Sequence, residues 1–228
     1  MTVAAPECTA AAARVLSAAD ARAAAIDARV AGGRRGPARI AVIGEFNSGK
    51  TALVNALVGA SVLPASAVHH TPCPVVIGHA GKPGLTARRA SGERASLAPE
   101  QLTQLHPADA TRLDLRLPLP ALKGLRIVDT PGLGLGTPGE EQTILKACRG
   151  ADLIIWCTPA FQAWKHSERV AWLRLPARLR RQGVLAVTFR DAVADAADLD
   201  RLIARLRADA GPYFRDIVLV DSEPAVPA

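Results

Sequence analysis

Eight consecutive residues carry the strongest chemical signal in the chain: Gly44-Glu45-Phe46-Asn47-Ser48-Gly49-Lys50-Thr51. Their spacing, G-x-x-x-x-G-K-T, is that of a P-loop, a backbone cradle for phosphate. The glycines let the loop wrap tightly, so successive backbone N–H groups converge on one anion. A helix starting near Gly49 points its positive end at the same place. Lys50 would reach the β- and γ-phosphate oxygens, and the Thr51 hydroxyl would be a ligand for Mg²⁺. Ala52, next in the chain, completes the expected nucleotide-binding set.

A second set lies at Asp129-Thr130-Pro131-Gly132, straight after the apolar run Leu125-Arg126-Ile127-Val128. A carboxylate at a strand's C-terminal end beside a P-loop can hold the water shell of Mg²⁺. Gly132 leaves a bare N–H that can meet a γ-phosphate and move when it departs. Thr71 sits in a proline-broken stretch, 63–74, which cannot be regular structure. A threonine there can give its hydroxyl to the metal and its N–H to the γ-phosphate, closing only over a triphosphate. Thr188-Phe189-Arg190-Asp191 ends a later apolar run. Asp191 could accept two hydrogen bonds from guanine's N1–H and exocyclic amine, which adenine does not offer. Ser222 could face the base oxygen through its backbone. The expected catalytic residues are Lys50, Thr71, Gly132 and Asn47, and the expected metal ligands Thr51, Thr71 and Asp129.

These groups need a scaffold, and the hydrophobic pattern supplies one. Residues 9–31 read as an alanine-rich helix with Thr9 as a candidate N-cap, stopped by Gly32-Gly33 and followed by a Gly36-Pro37 linker. It could pack on the nucleotide domain or on a partner. Strand 38–43 and helix 50–59 bracket the P-loop, and a strand follows at 75–77. Residues 84–97 pattern as a hairpin turning at Ser91-Gly92, and Pro99 opens a short helix to about residue 105. Residues 112–117 alternate leucine with charge, which predicts a half-buried edge strand. Strands then follow at 125–128, 152–157, 184–188 and 217–220. Helices separate them at 140–148, at 167–175 with continuation past Pro176 to 181, and at 198–210. Apolar strands separated by helices predict a parallel sheet covered on both faces. The organisation expected is an N-terminal helix and linker over 1–36 and a nucleotide domain over 37–228.

Composition excludes several classes. At 228 residues and 49% hydrophobic content the chain can bury a full core. No stretch reaches the ~18 uninterrupted apolar residues of a membrane span. Glu7, Arg14 and Asp20 interrupt the alanine-rich start, so it does not read as a signal peptide. The four cysteines are scattered with no C-x-x-C pair, which indicates neither zinc nor a disulfide framework and fits a reducing cytoplasm. The net charge of +7 is mostly arginine, spread along the chain apart from Arg34-Arg35, Arg88-Arg89 and 178–181. It reads as a solvated surface, with nucleic acid or anionic membrane as the other reading. The histidines lack metal or triad spacing, and Trp156 reads as core.

Together these motifs resemble the G domain of translation-factor-related GTPases, and more narrowly the bacterial dynamin-like proteins. The resemblance is carried by Gly44 to Thr51 with Leu53-Val-Asn-Ala-Leu-Val-Gly59, by Leu63-Pro64, by Leu117 to Gly132 with the hairpin before it, and by Asp152 to Cys157 with Ser167-Glu168. It covers about residues 38–222. It implies an α/β fold, a three-layer α/β/α P-loop NTPase of the Ras-like G-domain type, with a mostly parallel central sheet and an extra β-hairpin insertion. It further implies GTP hydrolysis to GDP and phosphate with Mg²⁺.

The sequence departs from the family pattern in places. Phe189 replaces the lysine of the usual Thr-Lys-x-Asp, where an aromatic ring could stack on the base instead. His70-Thr71 stands where two threonines are frequent. Leu133, not glutamine, follows Asp-Thr-Pro-Gly. The stalk helices of the family do not follow Ser222, so a partner would supply helices and any membrane contact, or the domain acts as a switch. Asn47 holds the position that binds K⁺ in cation-dependent relatives, which implies slow basal hydrolysis stimulated by K⁺ and by G-domain dimerisation. Two further readings remain: a GTP-binding assembly module with negligible turnover, and an RNA- or ribosome-associated GTPase, disfavoured because no RNA-binding domain is attached. An ATPase is a weaker one.

Overall fold

A computed structural model describes residues 14–15, 18–33, 35–64, 73–98, 101–102, 110–133 and 138–221. Its sheet is built from β1 (Arg14–Val15), β2 (Ala38–Gly44), β3 (Val75–His79), β4 (Gly84–Arg88), β5 (Arg94–Leu97), β6 (Arg112–Leu117), β7 (Leu125–Asp129), β8 (Leu153–Pro159), β9 (Gly183–Thr188) and β10 (Asp216–Leu219). Their order is β1-β10-β9-β8-β2-β7-β3-β6-β4-β5. Most pairings are parallel; β3 runs antiparallel to β7, and β4 antiparallel to both β6 and β5. The expected α/β fold, its mostly parallel sheet and the hairpin insertion are all present, the β4–β5 hairpin forming one edge. Every residue of β8 and β9 is buried, because helices cover both faces there. That is why these strands read as unbroken apolar runs.

Two cores sandwich the sheet. One face packs Ile40, Val42, Ile77, Leu113 and Ile127 under α1 (Ala18–Ala31) and α2 (Lys50–Val58). The other packs Ala41, Ile43, Trp156 and Leu185 under α3 (Pro138–Cys148), α4 (His166–Arg174) and α6 (Ala196–Asp209). Trp156 stands edge-on to Trp164 and Trp172, with ring centroids 6.3 and 5.7 Å away, so all three tryptophans are core. Gly49 and Gly59, both in the left-handed region, bound α2, and the Gly59 N–H caps the last turn at the carbonyls of Asn55 and Ala56.

Three expectations are corrected. Arg14 and Val15, placed in the N-terminal helix, form a strand parallel to β10, and the described helix starts at Ala18. Residues 112–117 form no edge: β6 lies between β3 and β4. Alternation reports one apolar face and says nothing about neighbours in the sheet. The helix after β8 stops at Arg174. Leu175, just before Pro176, is extended (φ −65°, ψ 143°), as the proline ring demands, and α5 (Ala177–Arg180) is separate.

The sequence left open where the N-terminal helix packs, and it packs on the sheet. Ala21 and Ala25 are buried in the first core, and the Arg29 guanidinium donates to Asp152 at 2.8 Å. Thr9 and most of the helix expected over 99–105 lie outside the described residues.

Candidate nucleotide site

β2 delivers its last residue, Gly44, against β8 so closely that a Cβ there would lie 2.4 Å from the Cys157 carbonyl oxygen. The loop turns through Asn47 at φ 55°, a value asparagine tolerates, and Gly49 at φ 77°. Phe46 and Asn47 are exposed while Ser48 is fully buried. The Ser48 hydroxyl and the Lys50 ammonium both donate to the Glu45 carbonyl, at 2.8 and 2.6 Å. Lys50 is buried, and burial lowers its pKa; the charges of Asp129 and Glu45 oppose that shift. A buried cation held this way is suited to an anion: its desolvation cost is already met in the fold.

β7 brings Asp129 to the same place. Its carboxylate is fully buried and accepts from the Thr51 hydroxyl at 2.9 Å. The turn beyond is pinned to the P-loop strand. Thr130 donates its hydroxyl to the Val42 carbonyl at 2.9 Å, and the Leu133 N–H donates to the Gly44 carbonyl at 3.0 Å. Gly132 touches the loop: a Cβ on it would stand 2.8 Å from Phe46 Cα. The fold therefore brings Gly44 to Thr51, Asp129 and Gly132 into one cluster. A hydroxyl and a carboxylate side by side are hard oxygen donors, and that donor set fits Mg²⁺. Thr71 and Ser222, assigned to metal and base, lie outside the described residues.

β9 supplies the third group. The Thr188 hydroxyl bonds the carbonyls of Ser48 and Thr158 at 2.9 and 3.2 Å, and a Cβ on Gly49 would meet Thr188 at 3.1 Å. The end of β9 thus buttresses the P-loop from beneath. Phe189 adopts φ 56°, rare for an aromatic residue, and leads into a 3₁₀ turn, Arg190–Ala192, that leaves Asp191 exposed. Arg190 is tied to Asp221 at 2.6 Å. The Phe189 ring rests on Phe161, with centroids 5.9 Å apart.

Four residues at this site escaped functional assignment from the sequence. Glu168, fully buried, accepts from the Trp156 indole N–H, the Thr158 hydroxyl and the Lys165 backbone N–H at 3.1, 2.9 and 2.8 Å. Burial raises its pKa against those three hydrogen bonds. It thereby fixes the turn from Thr158 to Lys165. That turn and the start of α4 hold the P-loop from the side, because Ser167 donates to one Glu45 carboxylate oxygen at 2.6 Å and Lys165 pairs with the other at 2.6 Å. The fourth, Phe161, is 64% exposed. The available signals were a glutamate three residues after a helix's first flanking residue and the Ser167-Glu168 pair already counted in the family resemblance.

The sequence profile of the dynamin family matches residues 40–182. The chain is similar to dynamin-like protein 2 of Campylobacter jejuni, 27% identical over 195 residues, which are 82% of this chain and 31% of that protein. It therefore spans about a third of that relative's length. Among solved structures it is similar to an oligomerised bacterial dynamin pair described as a mechanism for long-range sensing and tethering of membranes. There the TM-score is 0.63 at 21% identity, over 82% of this chain and 31% of that one. It is also similar to a variant of Aquifex aeolicus Era bound to GDP·AlF₄⁻, with a TM-score of 0.51 at 16% identity, over 82% of this chain and 52% of that one.

Proposed function

The chain belongs to the dynamin family, and on that premise we propose that it is a G domain that binds GTP with Mg²⁺ and hydrolyses it to GDP and phosphate. One observation carries the reading. Buried Lys50, the Thr51–Asp129 hydrogen bond and Gly132 against Phe46 converge on one loop. Water adds to the γ-phosphorus, the bond to the β-γ bridging oxygen breaks, and the water's proton leaves with phosphate. The loop amides from Glu45 to Ala52 hold the phosphates, and Lys50 leaves the Glu45 carbonyl for the γ-phosphate. Thr51 and Asp129, with Thr71, would hold Mg²⁺, which would offset charge on the phosphates. Gly132 and Thr71 change order as the γ-phosphate leaves. Asp191 reads guanine, Phe189 flanks the base, and Arg190 and Ser222 frame it. Asn47, exposed at the loop tip, is where K⁺ would act.

A second reading, a GTP-dependent assembly module with negligible turnover, draws on Leu133. It occupies the place where a water-orienting side chain is expected, its N–H is fixed to Gly44, and its side chain packs on the second core. Pairing of two G domains, or a helical partner that brings membrane contact, would then supply what this chain's own residues do not. A cytoplasmic location fits either reading. Single-turnover hydrolysis of GTP, run in K⁺ and in Na⁺ at several protein concentrations, separates them. Turnover that rises with concentration and with K⁺ supports the first reading; bound GTP that stays intact throughout establishes the second.

A further inference from the structure

At the opposite end of the central strands the sheet carries a row of arginines. Arg39 on β2 lies opposite Arg126 on β7, Arg126 opposite Gly78 on β3, and Gly78 opposite Arg116 on β6. Arg112 and Arg88, opposite one another on β6 and β4, lie on the same face but four residues along the strands from this row, toward the Asp129 end. The row crosses from β2 to β6, three strand spacings or about 14 Å. Arg39 is five residues from Gly44 along β2, so the row stands about 17 Å from the P-loop.

This face of the insertion is polar because the alternation of β6 puts Leu113 and Leu115 into the first core and Arg112, Asp114 and Arg116 on the other side. β4, β5 and β6 contribute no residue to the second core. Among the strand residues here Asp114 is the single acid. It is taken by Arg88 at 2.8 Å and Arg112 at 3.1 Å. Burial would raise its pKa, but those two arginines hold it below the usual carboxylate range. Arg39 spends one nitrogen on the Ala147 carbonyl at 2.9 Å.

Arg116 and Arg126 are left. Neither makes a hydrogen bond or ion pair among the described residues. They meet over Gly78, where a Cβ would lie 2.5 Å from an Arg116 terminal nitrogen and 3.6 Å from Arg126 Cγ. The Nε of Arg126, like that of Arg39, is sealed from solvent with no partner. Burial and then the neighbouring Arg116 and Arg112 charges push the Arg126 pKa down, so the cluster carries mutual repulsion that an anion would relieve.

We propose that Arg116 and Arg126, over the Gly78 floor and flanked by Arg39 and Arg112, form a binding site for a small phosphate-bearing anion distinct from the P-loop. Guanidinium forks suit the planar, bidentate recognition of phosphate better than ammonium groups do. The two unpaired forks are adjacent, not strung along a track, and part of their donor set is half-buried. A compact soluble anion reaches such donors, whereas the backbone of a nucleic acid or a membrane plane stays at the rim.

The test is calorimetric titration of pyrophosphate into protein held in excess GDP and EDTA, comparing wild type with Arg116→Gln, Arg126→Gln and the double variant. The difference between wild type and double variant isolates this face whatever the P-loop does. Uptake by wild type, at least about tenfold weaker in either single variant and lost in the double one, supports the proposal. Arg116→Lys, which keeps the charge and loses the fork, should fall between. The ligand-free glutamine variants should melt at or above the wild-type temperature, since each removes a repelling charge, and this checks that they fold. Equal uptake by wild type and double variant overturns the proposal. So does the absence of pyrophosphate uptake alongside charge-dependent retention of an RNA hairpin or of phosphatidylserine vesicles, which would make the face a macromolecular surface.

Discussion

The phosphate side and the base side of the candidate site are built to different standards. On the phosphate side Lys50, Ser48, Asp129 and Thr130 are all buried, and each is fixed by a hydrogen bond: Ser48 and Lys50 to the Glu45 carbonyl of their own loop, Asp129 across to Thr51 and Thr130 across to Val42. On the base side Asp191 is exposed on a 3₁₀ turn and Arg190 is paired with Asp221 at a half-open surface. On the proposed reading the polyphosphate grip is part of the fold's own packing, and base reading sits at its rim. Phosphate binding and base selectivity should therefore be separable by substitution.

The largest effect that would break this contrast is at Lys50. Lys50→Ala should weaken guanine-nucleotide binding by about 3 kcal/mol, roughly a hundredfold or more, by calorimetry. Its ligand-free melting temperature should not fall, because a desolvated ammonium goes with it.

Glu168→Ala leaves three buried donors without their acceptor, and should cost about 2–3 kcal/mol of folding stability by denaturant titration. The pH dependence has a sign. With its folded pKa raised above the ordinary 4.5, Glu168 contributes most stability below that value, and the contribution is lost as pH rises through the folded pKa. The variant should lack that falling slope.

Gly132→Ala puts a methyl 2.8 Å from Phe46 Cα, so the turn or the loop must shift. We expect about a tenfold fall in single-turnover rate with a smaller change in GDP affinity. Lys165→Ala breaks a part-exposed pair, which after solvent screening should cost at most about 1 kcal/mol of nucleotide affinity. If it costs as much as Lys50→Ala, the clasp on Glu45 belongs to the grip itself.

The smallest change in total affinity but the sharpest in kind is Asp191→Asn. Preference should move from GTP to xanthosine triphosphate while stability stays within about 0.5 kcal/mol. A variant that unfolds or loses both nucleotides would erase the distinction between the two sides.

How much of this was readable in the sequence follows from the range of each interaction. The P-loop and Asp-Thr-Pro-Gly signals are short and local, and their flanking strands are buried on both faces, so spacing alone located them. The placement of β6 inside the sheet was not readable, because period-two alternation is the same for a central and an edge strand when one face stays polar. Glu168 and Lys165 look like ordinary charges in an ordinary helix start. The role of Lys165 depends on Glu45, which Ser167 contacts across 122 residues of chain, and that of Glu168 on Trp156 and Thr158 of β8. Phe189 was legible as a departure from pattern, but its left-handed backbone and its contact with Phe161 depend on where β8 and β9 end.

One hydroxyl, that of Thr188 at the end of β9, touches both the P-loop at Ser48 and β8 at Thr158. On the proposed reading it acts as a gauge block, joining the phosphate cradle to the strand end that leads into the base turn. A guest whose sugar is longer or shorter than that span would then work against a hydrogen-bonded joint.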